Sequence, residues 1–225
     1  IRIANYVNAT LILFENVPGI TSKKTEKNGE RFLIDDLYDS LAENGYEYSI
    51  SCVLNAADFG VPQYRERFFI LASKEDLNLR PPTSHHGKHV TVKEAFTGLP
   101  DIEPNIPNHP ELYTGEESEY SLKLKNPRFW KLKGLPDRLT YHIPPKHRPK
   151  TVHRFSLIAQ GEGLRDLFLK FDARQVTELQ EQKVLPKKWY IQRNRRLRLE
   201  QPSVTVTSHC LDEMVHPTLN RALTV

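Results

Sequence analysis

Apolar residues in the first third of the chain fall in short runs separated by polar corners. Leu11-Ile12-Leu13-Phe14 breaks at Glu15-Asn16-Val17, so residues 9–17 read as a buried strand ending on that corner. Between Gly29 and Gly45, the residues Phe32, Leu33, Leu37 and Leu41 recur at helical spacing, with Gly45 as a C-terminal stop. Residues 46–54 alternate and predict a second strand, and Phe68 to Ala72 a third. The Gly60-Val61-Pro62 break between these two suits a loop joining neighbouring antiparallel strands.

After Ser73 the pattern changes. Arg80-Pro81-Pro82 marks a linker, and Thr91-Val92-Lys93-Glu94 has the form of a capping box opening a short helix at Ala95-Phe96-Thr97. Eight prolines between residues 101 and 150 predict long loops. A helix is expected over about 163–182. Trp189-Tyr190-Ile191, Leu197 to Leu199 and Val204 to Val206 have the content of short strands. No internal repeat or low-complexity tract interrupts this order.

With 225 residues, 38% of them hydrophobic, the chain can build one large or two small cores. No apolar run approaches the twenty or so residues of a membrane span, and no signal-peptide pattern opens the chain. The cysteines, Cys52 and Cys210, lack framework or zinc spacing, which suits a reducing, cytoplasmic setting. Cys52 reads as an inert strand residue. The histidines, including His85, His86 and His89, have no converging carboxylates or cysteines and read as surface residues.

Charge changes the picture more. Residues 1–120 hold 11 Lys and Arg against 19 Asp and Glu, and residues 121–200 hold 20 against 7. The net charge of +4 therefore conceals an acidic first half followed by a strongly basic segment. Standing alone, such a block is a solvated face. Beside catalytic motifs it is the electrostatic footprint of a module that contacts nucleic acid.

Two motifs supply that context. Phe14-Glu15-Asn16-Val17-Pro18-Gly19 and, some fifty residues on, Gln63-Tyr64-Arg65-Glu66-Arg67 each lie at the edge of an apolar strand. In order and spacing they resemble the Glu-Asn-Val and Gln-x-Arg-x-Arg motifs of the cytosine-C5 DNA methyltransferases. His216-Pro217-Thr218-Leu219-Asn220-Arg221-Ala222-Leu223-Thr224-Val225 resembles the opening of that family's Arg-x-Leu-Thr motif. The resemblance implies an α/β fold: part of a class I S-adenosylmethionine-dependent methyltransferase sheet, then a small, mostly irregular or β target-recognition domain. It places the incomplete catalytic domain at 1–100, target recognition at 101–215 and a return to the catalytic domain at 216–225.

The resemblance also implies S-adenosylmethionine as cofactor and double-stranded DNA as substrate. The family's Phe-x-Gly-x-Gly cofactor loop and Pro-Cys nucleophile motif do not occur in these residues, and neither cysteine follows a proline. The chain is therefore expected to be inactive alone. It would be either a piece of a longer polypeptide or one chain of a split enzyme whose second polypeptide brings the missing motifs. A non-catalytic DNA-binding fragment and a tRNA-methylating member of the family are the alternatives.

By family match, Glu15 serves cytosine N3 and the exocyclic amine, and Asn16 orients the neighbouring catalytic loop. Arg65 and Arg67, two apart on an extended backbone, point the same way. The match gives Arg67 the O2 carbonyl of a flipped base and Arg65, with Gln63, the surrounding hydrogen bonds. Arg193, Arg195, Arg196 and Arg198 are the candidate DNA contacts, to guanine edges or phosphates. Thr205 resembles a threonine set against the DNA backbone. Arg221 matches the arginine that braces one domain against the other.

Overall fold

The computed structural model of the chain describes residues 1–25, 31–84, 87–106, 110–135, 138–191, 193–207 and 214–224. They form two compact units, Ile1–Lys88 and His89–Val225. The first helix after the linker is bonded into the second unit. The Val92 N–H donates to Gln201 O and that of Lys93 to Leu199 O, both at 2.9 Å.

In the first unit a short helix α1 (Arg2–Tyr6) precedes β1 (Leu11–Asn16), α2 (Leu33–Glu43), β2 (Tyr48–Asn55) and β3 (Glu66–Ser73). The strands make one antiparallel sheet in the order β1-β3-β2, so the last strand in sequence is central. Strand alternation sends Phe68, Ile70 and Ala72 of β3 to one face, where Ile20, Leu41 and Tyr46 complete the buried core. Ile12, Phe14, Leu33 and Leu37 pack at its border. The Tyr46 hydroxyl donates to Ala9 O at 2.7 Å, tying the turn after α2 to the entry of β1.

Two expectations are corrected here. β1 is an edge strand that alternates between partly covered and exposed positions, with Leu13 65% exposed, because only Ile12 and Phe14 face the core. Phe32 precedes α2 rather than lying in it, held in an antiparallel bridge to Lys24.

The second unit contains helices α3 (Val92–Phe96), α4 (Glu119–Lys125), α5 (Pro149–Ser156), α6 (Leu164–Lys170) and α7 (Ala173–Glu181). Among its described residues the strands are the two-residue parallel pair β4 (Arg195–Arg196) and β5 (Met214–Val215). The capping box of α3 forms as the sequence predicts: Thr91 Oγ1 accepts from Glu94 N, and the Glu94 carboxylate accepts from Thr91 N. The single helix expected over 163–182 is two, split where Asp172 caps α7 by accepting from Gln175 N at 2.8 Å.

None of Trp189–Ile191, Leu197–Leu199 and Val204–Val206 forms a strand. Trp189 and Tyr190 are engaged by arginines instead, Arg165 and Arg193 each lying 5.6 Å from a ring centroid. Phe155, Ile158, Leu164, Leu167, Leu185 and Val215 make the larger core of this unit, and Val92, Leu197 and Met214 a smaller one. The described part of the unit is thus built mainly of helices and irregular chain. No helix among the described residues is long and apolar enough to cross a membrane.

Candidate active site and basic surface

The first unit brings Glu15 and Arg67 together. Glu15 lies directly across from Phe69 in the β1–β3 register, and alternation puts Arg67 on the same face as Phe69. Arg67 Nε sits 2.8 Å from Glu15 Oε1, and Nη1 donates to Glu66 O at 2.7 Å. The carboxylate is half exposed, whereas the arginine is 19% exposed, so the pair presents its acidic end to solvent. Asn16 turns the chain at this point. Its Oδ1 accepts from Val17 N at 2.8 Å, leading into a 3-10 turn over Pro18–Ser22.

Asn55, a residue the sequence reading passed over, sets the loop that delivers the arginines. Its Oδ1 accepts from Ala57 N at 3.2 Å and from Arg65 N at 3.1 Å, pinning both ends of the loop with one side chain. Ala56 N donates to Arg65 O at 3.0 Å, and Val61 N to Ala56 O at 3.2 Å. Gly60 closes the turn in the left-handed region at φ 84°, which a residue with a Cβ adopts only under strain. Arg65 is thereby placed by its backbone at the mouth of β3. Gln63 is half-buried in the same loop, its N–H donating to Val61 O at 2.7 Å. An Asn immediately before Ala-Ala-Asp was the available signal for a side-chain cap here.

The four candidate arginines of the second unit separate into different environments. Arg193 and Arg198 are exposed and Arg195 is half-buried. The guanidinium of Arg198 lies across Gly161, at φ 83°, where a Cβ has no room. Arg196 is 5% exposed and spends all five donors inside the protein. Nε donates to Ile158 O, Nη1 to His216 O and Leu219 O, and Nη2 to Phe155 O and Asn220 Oδ1, at 2.7–2.8 Å. It has no donor left for DNA, so its place among the DNA contacts is corrected to a clasp between the end of α5 and the 216–220 turn. Burial lowers its pKa from the ordinary arginine value.

Arg221 is equally enclosed, donating to Ile102 O at 2.7 Å and Ala222 O at 2.9 Å, both within the second unit. Three histidines hold the same terminal segment. His216 Nδ1 accepts from Leu219 N at 3.1 Å while its ring stacks on Phe96. His147 Nε2 accepts from Ala222 N at 3.0 Å, and His142 meets Thr224 Oγ1 at 3.1 Å and Pro100 O at 2.9 Å. Burial first, then the charges of Arg221, Arg196 and His142, push the His216 pKa down to about 3. His142, His147 and His216 are therefore packing residues rather than surface ones, while His85 and His86 lie outside the described residues. Thr205 is half-buried. Cys52 is a free cysteine on β2, Cys210 lies outside the described residues, and no metal-binding group of side chains occurs among those described.

A small antiparallel sheet with a helix on one face, followed by a mainly helical unit, defines a mixed α/β protein compatible with part of a class I methyltransferase fold. The family model for C-5 cytosine-specific DNA methylases matches residues 1–225, and the chain belongs to that family. It is 26% identical over 230 residues to the Type II methyltransferase M.DdeI of Desulfomicrobium norvegicum, covering all of this chain and 52% of that protein. It is 36% identical over 133 residues to the Type II methyltransferase M.MthTI of Methanothermobacter thermautotrophicus, covering 52% of this chain and 38% of the relative. A solved structure of an E. coli prophage-encoded protein, assigned to the DNA modification methyltransferases, aligns with a TM-score of 0.63 at 21% identity. That match covers 99% of this chain and 58% of the solved one, and it bears on the fold. The chain thus spans about half the length of M.DdeI.

The family uses S-adenosylmethionine to methylate DNA, and its Type II members serve restriction-modification. One cavity of the first unit does not fit that cofactor. That cavity, about 210 Å³, is lined by Leu13, Ile50, Phe69, Leu71 and their apolar neighbours. Arg80 is its one charged lining residue, and no carboxylate is present to take the cofactor's ammonium or ribose hydroxyls.

Proposed function

We propose that this chain is the base-handling and target-recognition portion of a DNA (cytosine-5)-methyltransferase that works on a cytosine flipped out of a duplex. The observation that carries the reading is the Glu15–Arg67 pair, which sits beside the strand end on one face of the sheet. Attack of a thiolate at cytosine C6 moves electron density onto N3 and O2, and the ring becomes reactive at C5 only if that charge is met. A carboxyl group at N3 can deliver a proton there and accept from the exocyclic amine. Arg67 holds Glu15 through Nε and Glu66 O through Nη1, and Nη2 is the donor suited to O2, an interaction that strengthens as charge develops. Arg65 and Gln63 border the base, and Asn16 and Asn55 hold the two loops in register. The nucleophile and methyl donor belong to the other half of the fold, on the same polypeptide or on a second one. Arg193, Arg195, Arg198 and Thr205 face the duplex, residues 1–100 complete the catalytic domain and 101–215 recognise the target, with 216–225 returning to the catalytic domain.

The test is single-turnover methylation at saturating duplex, in the protein that contains these residues together with a half bearing the Pro-Cys motif. Glu15→Gln keeps the shape but cannot deliver a proton, and is expected to slow the step by roughly 100-fold or more with little change in duplex affinity. Arg67→Ala should slow it as well, and the 225-residue chain alone should not turn over. A single-turnover rate for Glu15→Gln within about threefold of wild type would remove Glu15 from the chemistry, since general acid catalysis contributes far more.

A further inference from the structure

The second unit carries an exposed aromatic and cationic platform in the turn that follows α4. Helix α4 ends in a turn in which Phe129 N donates to Asn126 O, while Trp130 N and Leu132 N both donate to Pro127 O. Asn126 Oδ1 accepts from Arg128 N at 3.0 Å, and the Trp130 indole N–H donates to Leu124 O at 2.7 Å. The turn is pinned by its own backbone, and the indole is fixed in orientation. Even so, Leu122, Phe129, Trp130 and Leu132 are all exposed, Trp130 by 48%. Four large apolar side chains shown to solvent within eleven residues mark a contact surface.

The charge around them identifies what is contacted. From Ser121 to Leu135 there is no acidic residue and five cations. Lys125 is taken by Glu117 at 3.1 Å, which leaves Lys123, Arg128, Lys131 and Lys133 exposed. Lys123 lies 4.8 Å from the Phe129 ring centroid. The acidic residues flanking this stretch are Glu111, Glu116, Glu117 and Glu119 before the second turn of α4 and Asp137 after it, and Glu111 is paired with Arg138. Four exposed cations within fifteen residues that hold no acid call for a polyanion, and the aromatic pair among them calls for one with flat, apolar parts. Duplex DNA offers both, phosphates flanking a groove of sugars and base edges. An anionic membrane fits less well, because α4 has seven residues and is too short to lie as an amphipathic helix in a bilayer surface.

We infer that the α4 turn, through Phe129 and Trp130 with Lys131 and Lys133, is a second duplex-DNA contact of this chain, separate from the Arg193–Arg198 segment. The inference rests on the function proposed above. Trp130 and Trp189 are the two tryptophans of the chain, so Trp189→Phe leaves Trp130 as the sole indole reporter in the full 225-residue protein. With a saturating short duplex, Trp130 should become shielded from acrylamide quenching. Lys131→Glu with Lys133→Glu should weaken duplex binding at least tenfold and lower the salt slope by roughly 1.8, at about 0.9 per phosphate contact. A urea midpoint equal to wild type establishes that the double variant is folded. Duplex binding with Trp130 still fully quenchable, or with affinity and slope unchanged in the double variant, overturns the inference alone. Failure of the wild-type chain to bind duplex at all overturns both it and the DNA contacts proposed above. Shielding of Trp130 by phosphatidylserine vesicles but not by duplex assigns the surface to membrane and overturns it too.

Discussion

A guanidinium offers five N–H donors in one plane, and what it does depends on how many are already taken. Arg196 has all five on carbonyl oxygens, four of the main chain and one of Asn220, whereas its neighbours Arg193 and Arg198 are exposed. In a run of basic residues the sequence alone does not distinguish these cases, since the acceptors come from residues 155–158 and 216–220. Replacing Arg196 with Met strands several buried acceptors, each worth about 1–3 kcal/mol when unpaired, so the expected loss is about 3 kcal/mol or more. Lys should not rescue it, because one ammonium cannot span the planar fork. Urea unfolding is the measure, and a midpoint for either variant close to wild type would contradict the clasp. His216 gives a second expectation at this scale. Its pKa is about 3 in the folded protein against 6.5 for the ordinary side chain, so between those values the unfolded chain binds the proton and the folded one does not. The contribution of the neutral ring is complete above pH 6.5 and is lost as pH falls toward 3, with a limiting slope of about 1.4 kcal/mol per pH unit. His216→Asn, which keeps an acceptor near Nδ1, should flatten stability against pH in that window, and an unchanged slope would assign the acid sensitivity elsewhere.

The three strands and α2 were legible because each signal is local: alternation within eight residues, a Gly60 break, a Gly45 stop. The central place of β3 was not, since strand order depends on which edges meet and not on any one segment. In the second unit, Pro149 was read as a loop marker, yet it sits at the first turn of α5, where a missing N–H costs nothing. Ser118 and Ser121 cap α4 reciprocally without the Glu that makes such a box conspicuous. Of the candidate site, Glu15 and Arg67 were legible as a motif, but Asn55 was not, because its partners are ten and two residues away and on the backbone. The sheet order has a consequence for β1. Its outer side pairs with no strand among the described residues, and Leu11 and Leu13 are exposed along it. Such an edge is a template for another strand. The isolated chain is expected to self-associate with rising concentration, and Leu13→Lys should reduce this without lowering the unfolding midpoint. Sedimentation velocity over a tenfold concentration range tests it; monomeric wild type throughout would show that the edge is protected.

At the scale of the whole molecule, charge divides the labour. The acidic excess of residues 1–120 repels a polyanion, so duplex affinity should reside in residues 121–200, with their 20 Lys and Arg. Phosphate contacts release counterions, and each lowers the observed binding constant by roughly 0.9 log unit per log unit of salt. A wild-type chain making several contacts should therefore lose affinity steeply between low and physiological salt. Replacing Arg193, Arg195 and Arg198 together with Ala should lower the slope by up to about 2.7, three contacts at roughly 0.9 each. Arg196 is left out of that triple because its loss acts on folding, and including it would confound a weaker interface with an unfolded one. Arginines that read guanine edges rather than phosphates would give a different result: discrimination between duplex sequences would fall while the salt slope held. Titrating wild type and triple variant with two duplexes of different sequence across a salt series separates the two. A flat salt response in the wild type, or a triple variant matching it in slope, affinity and sequence preference, would mean that this arginine segment does not meet DNA.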